Sequence, residues 1–278
     1  MRSARPPGRG ALPGQRPRIW VVFGLLSALV VALSVAITRL PAVWLDQALN
    51  QASLGRFRIA QAEGTVWQGH GSLVLADPKA TDPQGGGDVE RLVGLSLPGR
   101  LGWQVEPFAL LQGQLKVRLT HDRLQAPVML ELSAERVMLS AGTLTLPRLA
   151  LDRLGSPWNT IQPAAGVTVD WSDAVFRAGR LQGRSSVVLA EVSAALTPVN
   201  PLGSYHIEIM GSTDQTQIRL TTRSGPLQLT GSGHWTASSG LKFQAEAWAD
   251  GPEQARLQSL LGLMGRREGD RVRITLGA

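Results

Sequence analysis

The chain has 278 residues, enough for one large domain or two modest ones, and no cysteine, which excludes disulfide frameworks, thiolate metal sites and cysteine nucleophiles. Its formal net charge is +7, but six of its 28 basic residues are arginines within residues 1–39, where no acidic residue occurs. The other 22 basic residues face 21 acidic ones, so the rest of the chain is nearly neutral, and a basic nucleic-acid-binding domain is disfavoured.

Residues 19–37 form a run without a charged side chain, preceded by five arginines. As a helix this run would be about 28 Å long at 1.5 Å per residue, close to the ~30 Å hydrocarbon core of a bilayer. Positive residues favour the cytoplasmic side of a membrane. We therefore expect residues 1–18 to be a disordered cytoplasmic tail, residues 19–37 to be a transmembrane signal anchor, and residues 40–278 to be exported.

The alternative to an anchor is a cleaved signal peptide. Ser34-Val35-Ala36 would fit its cleavage site, although the apolar cores of such peptides are shorter, at roughly 7–15 residues. Trp20 lies near one end of the run and Trp44 beyond the other. Tryptophan favours the membrane–water interface, so both are predicted to be interfacial anchors.

Two short helices are predicted in the exported part. The first spans about residues 41–53, where apolar residues recur with helical spacing between Pro41 and Gly55. The second lies near residues 252–264 and ends at a glycine.

Between these helices, apolar and polar residues alternate with a period of two. The clearest segments are 57–59, 115–120, 144–146, 167–169, 207–209, 218–221, 227–230 and 243–247, and another, 271–276, follows the second helix. Such strands, separated by Gly, Pro, Asp and Ser, predict a mainly β domain with an antiparallel sheet, curled and open or a half-barrel. A turn-rich segment at 155–166 suggests two related halves.

The sequence offers no catalytic constellation. Its four histidines are not at metal-binding spacing, and the phosphate-binding Gly-Lys-Ser/Thr and nucleophile-elbow Gly-x-Ser-x-Gly motifs are absent. Asp170 and Asp173 are better placed in a turn than in a shared acid–base site. We therefore predict a protein that is not an enzyme, with no catalytic, cofactor-binding or metal-binding residues and no cofactor.

The most distinctive stretch runs from Glu63 to Gly69, where Gly64 and Gly69 bracket a short predicted strand that contains Trp67. We expect the Trp67 ring to pack against backbone that the glycines leave exposed. Together with later positions, this stretch forms one motif. Its members are Gly64, Thr65, Trp67, Gly69, Trp103, Pro107 and Gly113.

This motif, the arginine-rich start and the single apolar run resemble the type II secretion system protein N family of Gram-negative bacteria. The resemblance implies a single-span inner-membrane protein whose bulk is periplasmic. It implies a structural subunit of the machine that moves folded proteins across the outer membrane. The implied partners are other inner-membrane and periplasmic subunits, and no nucleic acid.

A second interpretation stays open. A long, curled antiparallel sheet could present an apolar concave face, so the domain could be an anchored β-groove that binds or carries lipid or another hydrophobic ligand in the periplasm. An interior filled by side chains would favour the structural subunit. A lipid-width apolar trench would favour the carrier.

Overall fold

The computed structural model describes residues 25–29, 31–32, 35, 37–76, 94–150, 158–212, 215–236, 238–249 and 251–277, with only the backbone at 158–159. The chain separates into two compact units, Met1–Leu40 and Pro41–Ala278. In the first unit the described residues between 25 and 38 are helical. Within the described part of the chain, no helix is both long and apolar enough to cross a membrane. The predicted tail, 1–18, and Trp20 lie outside the described residues.

The second unit contains few helices. They are α1 (Val43–Ala52), α2 (Pro107–Leu110), α3 (Trp158–Ile161) and α4 (Gln254–Met264), the last preceded by a 3-10 turn at Gly251–Glu253. The helices predicted near 41–53 and 252–264 are thus confirmed as α1 and α4. Helix α1 is followed by Gly55, whose φ of 81° suits the turn into the first strand.

The rest of the second unit is a sheet of short strands. In chain order they are β1 (Phe57–Gly64), β2 (Gln68–Ala76), β3 (Gly94–Ser96), β4 (Leu101–Val105), β5 (Leu115–His121), β6 (Val128–Leu132), β7 (Arg136–Leu139), β8 (Gly142–Ala150), β9 (Pro163–Trp171), β10 (Ala174–Arg177), β11 (Arg180–Ala194), β12 (Gly203–Gly211), β13 (Thr216–Ser224), β14 (Leu227–Thr236), β15 (Gly240–Ala249), β16 (Arg266–Glu268) and β17 (Arg271–Leu276). All of them belong to one hydrogen-bonded sheet.

The sheet is an antiparallel meander, in which strands pair mainly with their neighbours in sequence. Strands β7 and β8 act as one bent strand, because β7 pairs with β10 and β8 with β9 in the same register. The fifteen-residue β11 pairs with β10 at its start and with β9 and β12 along the rest. The predicted mainly antiparallel open sheet is therefore confirmed. The split predicted near 155–166 remains a prediction, and residues 151–157 lie outside the described part.

Apolar side chains gather in three clusters. One lies under α1 and includes Trp103, a second joins β8, β9 and β11, and a third packs α4 against the last strands. In the third, Leu257 and Leu260 are almost completely buried. These clusters follow from the alternation in the strands, which places every second side chain on the same face.

A buried carboxylate joins α1 to the sheet. Asp46 is 7% exposed, and its Oδ1 accepts a hydrogen bond from the Ile59 backbone N–H at 2.7 Å. The Arg58 guanidinium donates to the same carboxylate, with Nη2 2.9 Å from Oδ2 and Nε 3.1 Å from Oδ1. One side chain therefore satisfies both a cation and a backbone donor of β1, which is paired only with β2 among the described strands.

We expect Asp46→Ala to destabilise the domain by about 3 kcal/mol, because it removes the carboxylate that accepts from a partly buried guanidinium and from a buried N–H. Urea unfolding of the full chain in detergent, followed by tryptophan fluorescence, measures the change. Glu135→Ala is the matched control. It removes an acceptor from an exposed pair with Arg177 and should cost about 0.5 kcal/mol or less. Equal losses in the two variants would contradict the role given to Asp46.

Candidate functional site

The motif residues gather at one end of the sheet. Gly64, Thr65 and Trp67 form the connection between β1 and β2, so the segment bracketed by the glycines is a turn rather than the predicted strand. The reason is local: Gly64 has a φ of 98°, and the Thr65 backbone N–H donates to the Gln68 carbonyl at 2.9 Å. A positive φ of this kind favours a turn and suits glycine.

The indole that covers glycine belongs to Trp103, whereas we expected Trp67. Gly69 is the direct cross-strand partner of Trp103, and a Cβ at Gly69 would collide with the Trp103 ring. The Trp103 indole N–H donates to the Thr65 carbonyl at 3.1 Å, and the residue is 3% exposed. Trp67 is half-buried against the same cluster. A buried indole whose N–H is hydrogen-bonded holds the strands at this edge of the sheet in place.

Two other segments are tied to this turn. The Ala42 N–H donates to the Gly64 carbonyl at 3.2 Å, and Pro41 forms an isolated bridge with Thr65. On the other side, the Val105 N–H donates to the Trp67 carbonyl at 2.7 Å. We call this region, residues 41–44, 64–67 and 105–113, the tryptophan end of the sheet.

The last motif residues, Pro107 and Gly113, delimit the connection between β4 and β5. Pro107 is at the first position of α2, where its missing N–H costs nothing. Gly113 has a φ of 70°, and its N–H donates to the Leu110 carbonyl at 3.0 Å. The motif thus combines one glycine–indole contact with two glycine turns, and all seven of its residues lie at or beside the tryptophan end.

The aromatic-over-glycine arrangement recurs elsewhere in the sheet, which the sequence did not reveal. Gly142 is the cross-strand partner of Trp171, whose ring a Cβ at Gly142 would meet. The Trp171 N–H donates to the Ser140 carbonyl at 2.8 Å. Gly233 is likewise paired with Phe243 and lies against its ring.

Polar clusters are sparse among the described residues. Ser186 Oγ lies 2.8 Å from His206 Nε2, but the nearest Glu208 oxygen is 4.0 Å from His206 Nδ1, too far for a hydrogen bond that would orient the ring. Strand β11 is paired on both sides, so its backbone N–H groups near Ser186 are committed to the sheet. Among the described residues, the backbone of β11 beside this contact therefore offers no free N–H group to an oxyanion.

The other histidines lie on separate strands, His70 on β2, His121 on β5 and His234 on β14. Burial lowers the pKa of His121. Two smaller effects act on the same pKa: the Asp122 charge raises it and the Arg123 charge lowers it. Asp170 lies within β9, paired with Thr143, rather than in the predicted turn, and its carboxylate accepts from the Thr143 hydroxyl. Asp173 lies between β9 and β10 and accepts from the Ala141 N–H. Within the described ranges, no three His, Asp or Glu side chains are grouped so that they could hold a metal ion.

The family profile described as type II secretion system (T2SS), protein N matches residues 56–275, about four fifths of the chain. The chain belongs to this family. Comparison with curated proteins and with solved structures returned no match. The matched region covers the whole sheet from β1 to the last strand, including the tryptophan end from Gly64 onward. The resemblance read from the motif is therefore confirmed, and the protein is a component of the type II secretion system.

We expect Gly69→Ala to destabilise the domain by about 1–3 kcal/mol, because the added methyl group displaces the Trp103 ring from a packed site. Thermal unfolding and the near-ultraviolet circular dichroism of tryptophan report the loss. Gly262→Ala is the control, for which we expect a change in stability of the opposite sign. Gly262 lies in α4 with open space around it, so alanine there should stabilise the helix by up to about 1 kcal/mol. A neutral Gly69→Ala variant would refute the ring-over-glycine constraint.

Proposed function

We propose that this protein is a non-catalytic, single-span inner-membrane subunit of the type II secretion machinery, with its N-terminus in the cytoplasm and its β domain in the periplasm. The observation that carries the proposal is the family match across 56–275. The charge-free run at 19–37 and the arginines before it support the orientation. In this role the domain supports export of folded proteins by binding and positioning other subunits.

The nature of the domain surface supports binding through backbone and apolar contacts. The chain after residue 39 is nearly neutral, so long-range electrostatic steering is weak. Strand β16 pairs only with β17 among the described strands, and all three of its residues are exposed. Such an edge can accept a strand from a partner, with main-chain hydrogen bonds providing affinity. We propose the β16 edge as a contact for a neighbouring subunit.

The hydrophobe-carrier interpretation has one observation in its favour. An open depression of about 630 Å³ is lined partly by Ile218, Phe243 and Leu276 on the last strands. Polar side chains such as Gln217, His234 and Lys242 line it as well, and α4 fills the apolar face farther along. Because polar side chains line this depression and α4 covers the neighbouring apolar face, the structural subunit is the better-supported function.

Topology can be tested with single cysteines, since the natural chain has none. Ala126→Cys places a thiol on an exposed loop before β6. With the outer membrane permeabilised, a membrane-impermeant maleimide should label this variant in intact cells. A cysteine in place of Ser3 should react only after the inner membrane is opened. The reverse pattern, or a mature protein that begins near Ile37, would contradict the anchored N-in arrangement.

Secretion itself tests the role in binding. A photo-crosslinking residue at Arg267, on the β16 edge, should trap another secretion subunit in cells. The same residue at Thr221 should not, since Thr221 is exposed but lies on a strand paired on both sides.

A chain released into the periplasm, with residues 1–39 replaced by a cleavable signal peptide, should restore secretion poorly, because tethering raises the effective concentration of weak partners. Full restoration by a protease-resistant released chain that co-purifies with lipid would favour the carrier instead.

A further inference from the structure

The tryptophan end exposes an unusual group of large apolar side chains. In and beside α2, Phe108 is 80% exposed and Leu111 is 85% exposed, and Leu110 is exposed as well. At the start of α1, Trp44 is 61% exposed and Val43 is also open to solvent. Large apolar side chains concentrated at one end of a domain mark a contact surface.

The connection between β4 and β5 is a preformed turn rather than a loose loop. Three of its backbone donors are satisfied internally, since the N–H groups of Leu111, Gln112 and Gly113 donate to the carbonyls of Phe108, Ala109 and Leu110. Ala109 is buried and fixes the turn to the domain. These bonds lower the cost of placing the turn in an apolar medium, where an unpaired N–H group is the main penalty. Residues 107–115 also contain no charged side chain.

Chain connectivity limits how far Pro41 can lie from the end of the apolar run. Three residues lie between Ile37, the last of that run, and Pro41, so the two can be at most ~14 Å apart. Pro41 bridges to Thr65, and the β1–β2 turn is joined through Trp67 to Val105 at the start of the exposed turn. At a strand spacing of about 4.8 Å, Pro41 and the turn lie about 15 Å apart across the sheet.

We propose that the turn at residues 107–113 inserts Phe108, Leu110 and Leu111 into the periplasmic face of the same membrane, beside Trp44. The occupant of this surface is the lipid interface, where aromatic and leucine side chains are favourable. This proposal rests on the membrane anchoring proposed above. Two contacts, the span and the turn, would fix the orientation of the sheet relative to the bilayer, which a single flexible tether does not do.

The test uses the full chain with single cysteines labelled by an environment-sensitive fluorophore. Leu111→Cys reports on the turn. Ala126→Cys is the matched control, on an exposed loop at the opposite end of β5, about 20 Å away. Each variant is reconstituted into vesicles of phosphatidylethanolamine and phosphatidylglycerol that contain nitroxide-labelled lipid. We expect the label at position 111 to shift to shorter wavelength and lose most of its emission, and the label at position 126 to do neither.

A further variant strengthens the test. Phe108→Ser in the Leu111→Cys background should reduce the quenching, because it removes one of the inserted side chains while leaving the buried Ala109 in place. Equal and weak quenching at positions 111 and 126, in chains that still float with the vesicles, would overturn the proposal while leaving the anchor intact.

Three other outcomes would also overturn it. If the chain does not float with the vesicles or is extracted by carbonate, the membrane anchor itself fails, and the lipid contact fails with it. If position 111 is unquenched in vesicles but protected from maleimide in cells that contain the other secretion subunits, the surface belongs to a protein partner. A disulfide between two copies at position 111 would assign it to self-association.

Discussion

The sheet depends on one repeated packing constraint, in which an aromatic ring lies over the glycine directly across from it on the next strand. Trp103 covers Gly69, Trp171 covers Gly142, and Phe243 covers Gly233. A side chain on the glycine would leave no room for the ring, and without the ring the glycine would leave backbone open to water. Each pair therefore selects one register between two strands, since a slip of one residue would place a Cβ beneath the ring. In the two tryptophan pairs, an indole hydrogen bond to a nearby carbonyl fixes the ring as well.

Much of the fold was predictable because its strands obey a local rule. Where one face is buried, as in β5 and β17, apolar residues alternate, and the predicted segments 115–120 and 271–276 coincide with these strands almost residue for residue. Strand β11, the longest, was not predicted. Its centre, Val187-Val188-Leu189, is a continuous apolar run, and Glu191 has a φ of 48° at a register shift. A bulge of this kind disrupts the alternation that reveals a strand.

The residues of the candidate site could be predicted from the sequence, but their arrangement in space could not. The seven motif residues could be named from the sequence, yet which indole would lie on Gly69 depends on the pairing of β2 with β4, and pairing between separate segments leaves no local signal. The exposure of Phe108 and Leu111 was hidden for a different reason. Helix α2 has only four residues, too few for a helical periodicity that would show which face points outward. The motif thus appeared to have only a structural role, whereas in the structure part of it is exposed to solvent.

The meander has a consequence for how the chain is assembled. Most of the described strands pair with the strand just before them in the chain, whereas the pairings β2–β4, β7–β10, β9–β11 and β15–β17 reach farther along the sequence. Contacts that are local in sequence require little loop closure, so they form early and quickly. A chain that emerges N-terminus first can therefore extend the sheet one strand at a time, each new strand adding to a template that is already in place. At each stage the growing edge lies on the strand made last, so that strand is available for aggregation only until the next one pairs with it.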